Sequence, residues 1–529
     1  MTLSRRLCFA PIVVASLVFG PGLKGWAAGP AAAPNFVVIL TDDQGWVDSS
    51  VRMMRERDDS RDPFLRTPHL ERLARRGIVF SNGYAPAPTC TPSRCSIQFG
   101  KTPARLKQTV VHDVLAAEHG IDCRDQVSLA EMVKRNDARY VTAHFGKWGF
   151  PPRKPEEAGY DRTDGNTNNG DGDYLDPRTR QPLPPDDPKR IFSVTERACR
   201  FVAEQAAAKR PFFLQVSHYA VHVRHQARPQ TIERLRSRPP AGRFTERDLT
   251  DPHPEGNASG LVYAAMIEDL DEAIGRLLDE LEAAGVADRT YVFFTSDNGG
   301  GFRGNGPLRG GKAQLWEGGL RVPFIVAGPG VEGGRWCDVP VAAWDIWATI
   351  HDLMTGRSPP DGIDGISLRP LFRSGAVPER LRDRALVFHF PWYAGHPMSA
   401  IRRGRYKLIR SLNTGEVRLF DLLADLGERH DLAAERPELA RRLSAELDAY
   451  LQAVDAERIE DMRAARRREL ERYIARDRAA LVEAERRLAT AGDSERGRLE
   501  QQVAFLRQRL AAHRNGLRQL EESARLRRW

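Results

Sequence analysis

The chain has 529 residues, 41% of them hydrophobic and 29% charged, and its formal net charge is +9. A chain of this length is too long for one compact core, so we expect a large domain, a smaller one and an appendage. The positive charge suits an anionic partner but does not distinguish nucleic acid from an anionic glycan. The sequence contains no nucleic-acid-binding motif, so we expect no nucleic-acid partner.

The first 28 residues are typical of an export signal. Arg5 and Arg6 precede an apolar run over residues 9–19, and the small residues Gly25 and Ala27 offer a site for signal peptidase. The run is too short to span a bilayer, although an N-terminal membrane anchor is the alternative interpretation. We therefore predict a signal peptide at residues 1–28 and an exported, periplasmic or secreted protein with no stable membrane span.

An apolar run over residues 35–40 predicts a buried parallel strand, and the adjacent carboxylates of Asp42 and Asp43 follow it. In α/β sheets, ligands bind at the carboxyl ends of strands. Two neighbouring carboxylates repel each other unless a cation lies between them, and oxygen ligands favour Ca²⁺ or Mg²⁺. A solvated Asp-Asp turn is the alternative for these two residues alone.

A second motif begins at Cys90, where the chain reads Cys-Thr-Pro-Ser-Arg. Pro92 and Ser93 do not fit a core pattern, and Arg94 brings a permanent cation close to the thiol. These neighbours indicate chemistry at Cys90 rather than packing. The alternative is a buried or disulfide-bonded cysteine in a proline-rich loop.

Two further strand-like runs end in polar side chains. Residues 140–145 precede Lys147, whose cation beside a strand end suits an anionic substrate. Residues 211–216 lead to His218 and His222. Because a strand precedes the two histidines, we expect them on a loop and not as a zinc-binding pair on a helix.

The run at residues 291–296 is also a buried strand pattern, and Asp297 and Asn298 follow it. If the two acid-terminated strands are neighbours, four oxygen-bearing side chains meet at one edge of the sheet. This predicts a metal site whose geometry suits Ca²⁺. Further on, the glycines before Lys312 allow the backbone to approach a ligand closely.

These motifs, in this order, resemble those of the type I sulfatases of the alkaline phosphatase-like superfamily. The resemblance implies an α/β fold with a large mixed sheet flanked by helices, which agrees with the alternation of strand and helix patterns. It also implies a sulfuric ester hydrolase acting on a sulfated carbohydrate or an aryl sulfate. The implied domains are a catalytic domain at residues 34–380 and a small antiparallel-sheet domain at residues 385–453.

The roles of the family's motif residues carry over to the matching positions. In the sulfatases, a formylglycine-generating enzyme oxidises the cysteine of the box, which implies a formylglycine at Cys90 and that enzyme as a partner during maturation. One Ca²⁺ is held together with this residue, which implies the metal ligands Asp42, Asp43, Cys90, Asp297 and Asn298. The other implied catalytic residues are Arg94, Lys147 and Lys312, which face the sulfate, and His222, which protonates the leaving oxygen.

The chain departs from the family pattern at Gly149, where the sulfatases have a histidine after Gly-Lys-Trp. That histidine is the expected base for the second hydroxyl of the hydrated aldehyde, and glycine cannot accept a proton. We hypothesise that His218 fills the role, with His144 or a water held by Asp43 or Asn298 as alternatives. Two other functions stay open, a phosphate or phosphonate ester hydrolase of the same superfamily and a degenerate protein that binds sulfated glycans.

The mature chain keeps five cysteines, which are Cys90, Cys95, Cys123, Cys199 and Cys337. Conversion of Cys90 leaves four thiols, which can form two disulfides in an oxidising compartment.

Residues 455–529 are not family-like, with about nineteen arginines, fourteen acids and no lysine. Apolar residues follow heptad spacing between Leu499 and Leu520, and a second seam lies between Ile474 and Leu488. The two seams predict an antiparallel helical hairpin, and an exposed heptad face would support a homo-oligomer.

Overall fold

The computed structural model of the protein describes residues 33–111, 125–149, 153–173, 175–176, 179, 181–250, 259–302, 304–391 and 397–523. The predicted signal peptide at residues 1–28 and Cys123 lie outside the described residues. The described residues from Pro34 onward belong to one compact unit. Within the described ranges, none of the helices is long and apolar enough to cross a membrane.

Most strands of this unit belong to one mixed sheet. In chain order the first ten strands are β1 (Asn35–Thr41), β2 (Gly77–Phe80), β3 (Gly83–Tyr84), β4 (Val141–Gly146), β5 (Arg162–Thr163), β6 (Phe212–Ser217), β7 (Thr290–Ser296), β8 (Phe324–Ala327), β9 (Arg335–Cys337) and β10 (Val341–Ala342). Eight of them form a sheet in the order β5-β4-β6-β1-β7-β8-β2-β9, and β3 pairs with β10. The first five strands in this sheet order, β5, β4, β6, β1 and β7, run parallel to one another. Strand β8 is antiparallel to both of its neighbours, β7 and β2.

Strand β1 lies in the middle of the sheet, between β6 and β7. All seven of its residues are buried, as expected for an apolar strand with both faces covered. In the register, Leu40 pairs with Ser217 of β6, and Thr41 pairs with Ser296 of β7. The three strands therefore end at the same edge, and the polar segments that follow them meet there.

Helices pack against the sheet and against each other. In chain order they are α1 (Pro68–Arg76), α2 (Cys90–Phe99), α3 (Pro103–Leu106), α4 (Leu129–Asn136), α5 (Ile191–Ala207), α6 (Pro229–Arg236), α7 (Glu246–Thr250), α8 (Gly260–Ala283), α9 (Glu317–Leu320), α10 (Asp345–Thr355), α11 (Glu379–Arg382) and α12 (Pro437–Ala453). Helix α8 packs against α1, α5 and α6, while α10 packs against α2 and α4. The apolar residues of α8 recur at helical spacing, and at its start the hydroxyl of Ser259 accepts a hydrogen bond from the N–H of Val262.

The Cys-Thr-Pro-Ser-Arg motif does not lie in an open loop. Cys90 is the first residue of α2, all of whose residues are buried. Pro92 is tolerated there because the first turn of a helix does not need its missing N–H. The motif thus places residue 90 at the amino end of a buried helix.

A second sheet is formed by four antiparallel strands in sequential order. They are β11 (Ala385–Phe390), β12 (Met398–Arg403), β13 (Tyr406–Ser411) and β14 (Val417–Asp421). One face packs on α12 through Leu443 and Leu447, and the other packs on Tyr84 and Trp344. This sheet and α12 lie within residues 385–453, the range predicted for the small domain. Together with the large mixed sheet they confirm the predicted α/β fold.

Buried charges join the second sheet to the segment that follows Lys312. The Nζ of Lys407, on β13, lies 2.9 Å from the carboxylates of both Glu317 and Glu428, and all three side chains are fully buried. A buried ammonium between two carboxylates holds its partners in place, because separating them would leave uncompensated charge.

The chain ends in two long helices, α13 (Ile459–Thr490) and α14 (Asp493–Ser523), which pack against each other. This confirms the predicted hairpin. On α14 the predicted seam is buried at Leu499, Val503, Leu506, Leu510 and Leu520. The seam residues therefore pack inside the hairpin. The large apolar side chains of the described hairpin that are most exposed are Val482 (61%) and Phe505 (56%).

The seam on α13 is more polar than the sequence predicted. Ile474, Leu481 and Leu488 are only half-buried, whereas the carboxylate of Asp477 is 1% exposed. It lies 2.6 Å from the guanidinium of Arg509 and 3.3 Å from Nε2 of His513. A polar group in a coiled-coil seam fixes the register of the helices, usually at a cost in stability.

The possibility of two disulfides is not realised, because Cys199 and Cys337 carry free thiols.

The base of the hairpin is part of the folded core. Glu457 accepts a hydrogen bond from the hydroxyl of Thr109, and Met462 and Ala465 pack on Val110. A chain ending at residue 453 loses these contacts, whereas one ending at residue 467 keeps them.

We predict that the chain ending at residue 467 keeps the hydrolytic activity that the resemblance implies, because it retains this base and every predicted site residue. The chain ending at residue 453 should be less stable by about 2–5 kcal/mol, as expected for removing a buried apolar side chain. Thermal unfolding measures the stability of both chains, and turnover of a chromogenic ester measures their activity. Sedimentation velocity tests whether the hairpin mediates the predicted homo-oligomer. Lost catalysis in the longer of the two shortened chains would contradict the prediction. If sedimentation shows the same oligomeric state for the shortened chains and the full chain, self-association through the hairpin is excluded.

Candidate active site

Two carboxylates follow β1 at the edge where β1, β6 and β7 end. The N–H of Asp42 donates to the carbonyl of Ala220 (2.9 Å), and the N–H of Asp43 donates to Oδ1 of Asp297 (3.1 Å). Asp43 has a φ of 63°, which breaks the strand alternation that would send successive side chains to opposite faces. Both carboxylates therefore contribute to one buried cluster.

Asp297 and Asn298 follow β7 in the same way. Nδ2 of Asn298 donates to Oδ1 of Asp43 (2.8 Å), and the N–H of Gln44 donates to the hydroxyl of Ser296 (2.9 Å). These bonds join the two strand ends. The structure thus brings together the four oxygen-bearing side chains that the sequence singled out.

Two buried cations contact this cluster. Nζ of Lys147 lies 2.6 Å from Oδ2 of Asp42, and both side chains are 1% exposed. Arg94 lies 2.8 Å from Oδ2 of Asp297 through both Nε and Nη2, and its Nη1 donates to the carbonyl of Lys147 (2.6 Å). Arg94 therefore links the lysine to the strand end that carries Asp297.

Lys312 reaches the cluster from the glycine-rich loop. Its Nζ lies 2.6 and 2.7 Å from the two carboxylate oxygens of Asp43. The loop is held by the N–H of Lys312, which donates to Gly300 (3.2 Å), and by that of Ala313, which donates to Pro88 (2.8 Å). The second bond ties Lys312 to the segment before Cys90.

Cys90 is buried at the start of α2, where the first N–H groups of the helix have no intrahelical partner. Burial acts to lower the pKa of Lys312, but the charges of Asp43 and Cys90 outweigh this and raise it. Burial also acts to lower the pKa of Arg94, but the charges of Asp297, Asp42 and Cys90 outweigh it and raise this pKa. Residue 90 therefore lies within electrostatic range of both cations.

His222 lies on the loop after β6, as predicted. Its Nε2 is 3.8 Å from Oδ2 of Asp43, and its Nδ1 contacts the carbonyl of Val223. Burial lowers the pKa of His222, while Asp42 and Asp43 oppose the shift. The imidazole therefore presents Nε2 to the cluster.

The oxygen atoms of the cluster fit a hard cation. Oδ1 of Asp42 and Oδ1 of Asn298 are buried, and neither has a hydrogen-bond partner among the described residues. Such unpaired acceptors are costly in a protein interior, and carboxylate and amide oxygens are the ligands that Ca²⁺ prefers. Asp42, Asp43 and His222 also offer ligand atoms within 4.8 Å of one another.

The carboxylates of Asp42 and Asp297, which pair with Lys147 and Arg94, differ in pKa. Burial acts to raise the pKa of Asp42, but Lys147, His222 and Arg94 outweigh it and hold the pKa well below its usual range. Burial, followed by the charge of Asp42, raises the pKa of Asp297 to about 6. Asp42 is therefore an anion at any working pH, whereas Asp297 can exchange a proton near neutrality.

The two histidines considered as replacement bases lie deeper. Burial lowers the pKa of His144 to about 3, and its Nε2 contacts the hydroxyl of Ser217 (3.1 Å). Burial alone lowers the pKa of His218 to about 4. Among the described residues, neither histidine makes a hydrogen bond or ion pair with the acidic cluster.

The departure at Gly149 has a local structural reason. Gly149 has a φ of 63°, and its N–H donates to the carbonyl of Thr167 (2.9 Å). A Cβ added there would lie 3.0 Å from Cδ of Arg94 and 3.2 Å from Cε of Lys147. Any side chain at this position would be strained and would press on two residues of the cluster.

A cleft of about 600 Å³ opens onto Asp43, His222 and Lys312. Its wall includes an aromatic group in which the ring of Phe302 lies 4.7 Å from that of His225 and 4.9 Å from that of Tyr263. Sequence analysis assigned no role to His225. Its spacing of three residues from His222 is the one signal that could have indicated it.

Sequence reasoning also missed Lys189. Its side chain is 1% exposed, and its Nζ lies 3.3 Å from Oδ1 of Asp173 and 3.4 Å from the carbonyl oxygen of Val223. A single lysine in a Pro-Lys-Arg run carries no sequence signal for such a position.

A mixed sheet with acids, lysines and a histidine at its carboxyl edge agrees with the class that the sequence predicted, the alkaline phosphatase-like hydrolases. Residues 34–356 match the sulfatase family model, and the chain belongs to the sulfatase family. The predicted family and its hydrolysis of sulfuric esters are thereby confirmed.

Relatives of the chain share about a quarter of its residues. It is 28% identical over 428 residues to N-acetylgalactosamine-6-sulfatase of Canis lupus familiaris, with 72% of each chain covered. It is 28% identical over 440 residues to an ulvan-active sulfatase of Formosa agariphila, with 79% of this chain and 80% of the relative covered. Among solved structures, its fold is similar to that of Ps i-CgsB in complex with k-i-k-neocarrahexaose, with a TM-score of 0.64 and 23% sequence identity. The similarity covers 79% of this chain and 93% of that structure's chain.

Proposed function

We propose that this sulfatase removes sulfate from a sulfated carbohydrate, using a formylglycine at position 90 and one bound Ca²⁺. The observation that carries the proposal is the convergence of three cations, Arg94, Lys147 and Lys312, on the carboxylates of the buried cluster. Fixed cations in a buried cluster stabilise the charge that develops on sulfuryl oxygens during transfer, because they need no reorganisation.

The histidine supplies the proton for the departing alcohol. Nδ1 of His222 donates to the carbonyl of Val223, so Nε2 is the atom that faces the leaving oxygen. It donates a proton there in the imidazolium form, which burial disfavours and the charges of Asp42 and Asp43 favour. Lys147, Lys312 and Arg94 hold the sulfate group while this bond breaks.

Asp42, Asp43, Asp297 and Asn298 would hold the Ca²⁺ together with residue 90. Bound Ca²⁺ would make a hydroxyl beside it more acidic. One hydroxyl of the hydrated aldehyde would attack sulfur as the alcohol leaves, and the other would lose its proton and expel sulfate by cleavage of the C–O bond, which restores the aldehyde. The unpaired oxygens of Asp42 and Asn298 support this ligand set.

His218 remains our candidate for the base that releases sulfate. A pKa of about 4 keeps it neutral at pH 7, and its Nδ1 is buried without a hydrogen-bond partner among the described residues. Because it does not touch the cluster, we expect it to act through a water held by Asp43 or Asn298.

The carbohydrate assignment rests on two observations. The relatives include sulfatases named for N-acetylgalactosamine 6-sulfate and ulvan. The cleft beside His222 is wide and has an aromatic wall, which suits the apolar face of a sugar ring. An aryl sulfate would fit the same wall.

We further propose that residues 1–28 direct export and that a formylglycine-generating enzyme modifies Cys90 during maturation. Self-association through the hairpin is also proposed, supported by the exposed side chains of Val482 and Phe505. We expect neither nucleic acid nor a membrane as a stable partner.

Matched sulfate and phosphate esters of one chromogenic alcohol test the reaction class, and a panel of sulfated monosaccharides tests the substrate class. We predict that kcat/KM for the sulfate ester exceeds that for the phosphate ester by about 10²-fold or more. A preference for phosphate would favour a phosphate or phosphonate hydrolase. Binding of sulfated sugars without turnover, by protein that contains formylglycine, would identify a degenerate binding protein.

A further inference from the structure

We propose that Lys189 is a positioning residue for His222, acting through the carbonyl group of Val223. The inference rests on the proposed role of His222 as the proton donor to the leaving alcohol. It assigns a function to a buried cation that contacts none of the predicted site residues directly.

The backbone that presents Lys189 is unusual. Lys189 and Arg190, just before α5, both have a φ of 53°, a left-handed conformation that residues other than glycine rarely adopt. The side chain of Arg190 holds the turn, since its Nε donates to the carbonyl of Asp171 (2.6 Å) and its guanidinium pairs with Asp176. Strained backbone of this kind persists where surrounding contacts enforce it, and it is frequent at functional sites.

The burial of Lys189 is also costly. An ammonium group removed from water needs charged or polar partners, and Lys189 has the carboxylate of Asp173 and the carbonyl of Val223. An exposed lysine at this turn would avoid the cost altogether. The side chain is therefore directed to these two acceptors by the fold around it.

The carbonyl of Val223 is shared by two donors. It accepts from Nδ1 of His222 and from Nζ of Lys189. The partner of one imidazole nitrogen decides which nitrogen faces the reaction, and here it leaves Nε2 facing Asp43 at 3.8 Å. By holding this carbonyl, Lys189 fixes the orientation of the imidazole.

The segment that carries Asp173 is itself anchored on the site. Gly172 packs so tightly on Tyr219 that an added Cβ would lie 2.4 Å from its Cγ. The hydroxyl of Thr167 donates to the carbonyl of Gly146 (2.5 Å) and accepts the N–H of Trp148 (3.0 Å). The run of acids and glycines before Asp173 thus connects the Lys147 motif to the loop of His222.

The test is the leaving-group dependence of Lys189→Met in the formylglycine-containing enzyme. Proton donation matters most for poor leaving groups, so we expect kcat to fall about 10–100-fold for alkyl or sugar sulfates. For an activated ester such as 4-nitrophenyl sulfate we expect a loss below about threefold, with KM unchanged, since the sulfate-binding cations are intact. Lys189→Arg, which keeps a cation, should restore most of the rate.

Two further variants calibrate the result. Lys209→Met removes an exposed lysine with the same φ of 53° just after α5, and it should leave kcat unchanged for every ester. His222→Ala should show the same leaving-group dependence, and the double variant with Lys189→Met should lose little more than His222→Ala alone, because the two residues act as one unit.

Equal losses on good and poor leaving groups would reduce Lys189 to a structural residue and overturn the inference. If His222→Ala lacks the leaving-group dependence, the proton-donor role fails and the inference fails with it. If His222→Ala has it and Lys189→Met does not, the inference alone is wrong. Should Lys189→Met not fold, Lys189→Gln, which keeps a hydrogen-bond donor at similar length, is measured on the same ester series.

Discussion

The variant Cys90→Ala should be inactive although it folds. Residue 90 is the only proposed nucleophile, and loss of a nucleophile lowers kcat by about 10⁴-fold or more in enzymes whose residues act as a unit. Cys90 is one small buried side chain at the first turn of α2, so thermal unfolding should change little. Turnover of a chromogenic sulfate ester and thermal unfolding of the same preparation measure the two effects.

Two comparisons separate the chemistry of Cys90 from its packing. Cys337→Ala removes another buried free thiol and should keep full activity. Cys90→Ser should release one equivalent of alcohol and then stop, because a serine hydroxyl can attack sulfur but has no second hydroxyl to expel sulfate. In active wild-type protein, mass spectrometry of the tryptic peptide of residues 77–94 should show loss of the thiol sulfur in favour of an aldehyde oxygen. Full activity with an intact thiol would refute the mechanism.

The core of the site could be predicted because its residues follow buried strands. Apolar runs of strand length indicate where a parallel sheet ends, and the polar residues just after them must meet at one edge. Asp42, Asp43, Asp297 and Asn298 were found in this way, and hydrogen bonds between the two strand ends now join them. Lys147 follows a strand as well, which is why its contact with Asp42 was within reach of the sequence.

Other features depend on tertiary structure and have no local pattern. Lys189 reaches the site through a left-handed turn, and neither its φ nor its distance to Val223 is encoded in residue spacing. The reason for glycine at position 149 is the close approach of Arg94 and Lys147, which come from distant segments. In the hairpin, the buried Asp477 was missed because an acid in a seam reads as solvated until its arginine partner on the other helix is known.

Asp297→Asn should weaken Ca²⁺ binding and remove its dependence on pH. The substitution keeps the shape of the side chain but removes the charge, so we expect affinity to fall by about 10–100-fold together with activity. Because burial and Asp42 raise the pKa of Asp297 to about 6, protons should compete with Ca²⁺ for this carboxylate below that pH. The apparent Kd of the wild type should therefore rise about tenfold per pH unit below 6 and level off above it.

Asp42 should not contribute to this slope, since its nearby cations hold its pKa well below the same window. Calorimetric titration of metal-free protein with Ca²⁺ at pH 5, 6 and 7 should therefore give a steep series for the wild type and a flat one for Asp297→Asn. The matched control is Asp279→Asn, which alters an exposed ion pair with Arg72 and should bind Ca²⁺ as the wild type does. Activity that survives chelation, or an identical pH series for wild type and Asp297→Asn, would show that the oxygen cluster does not hold the ion.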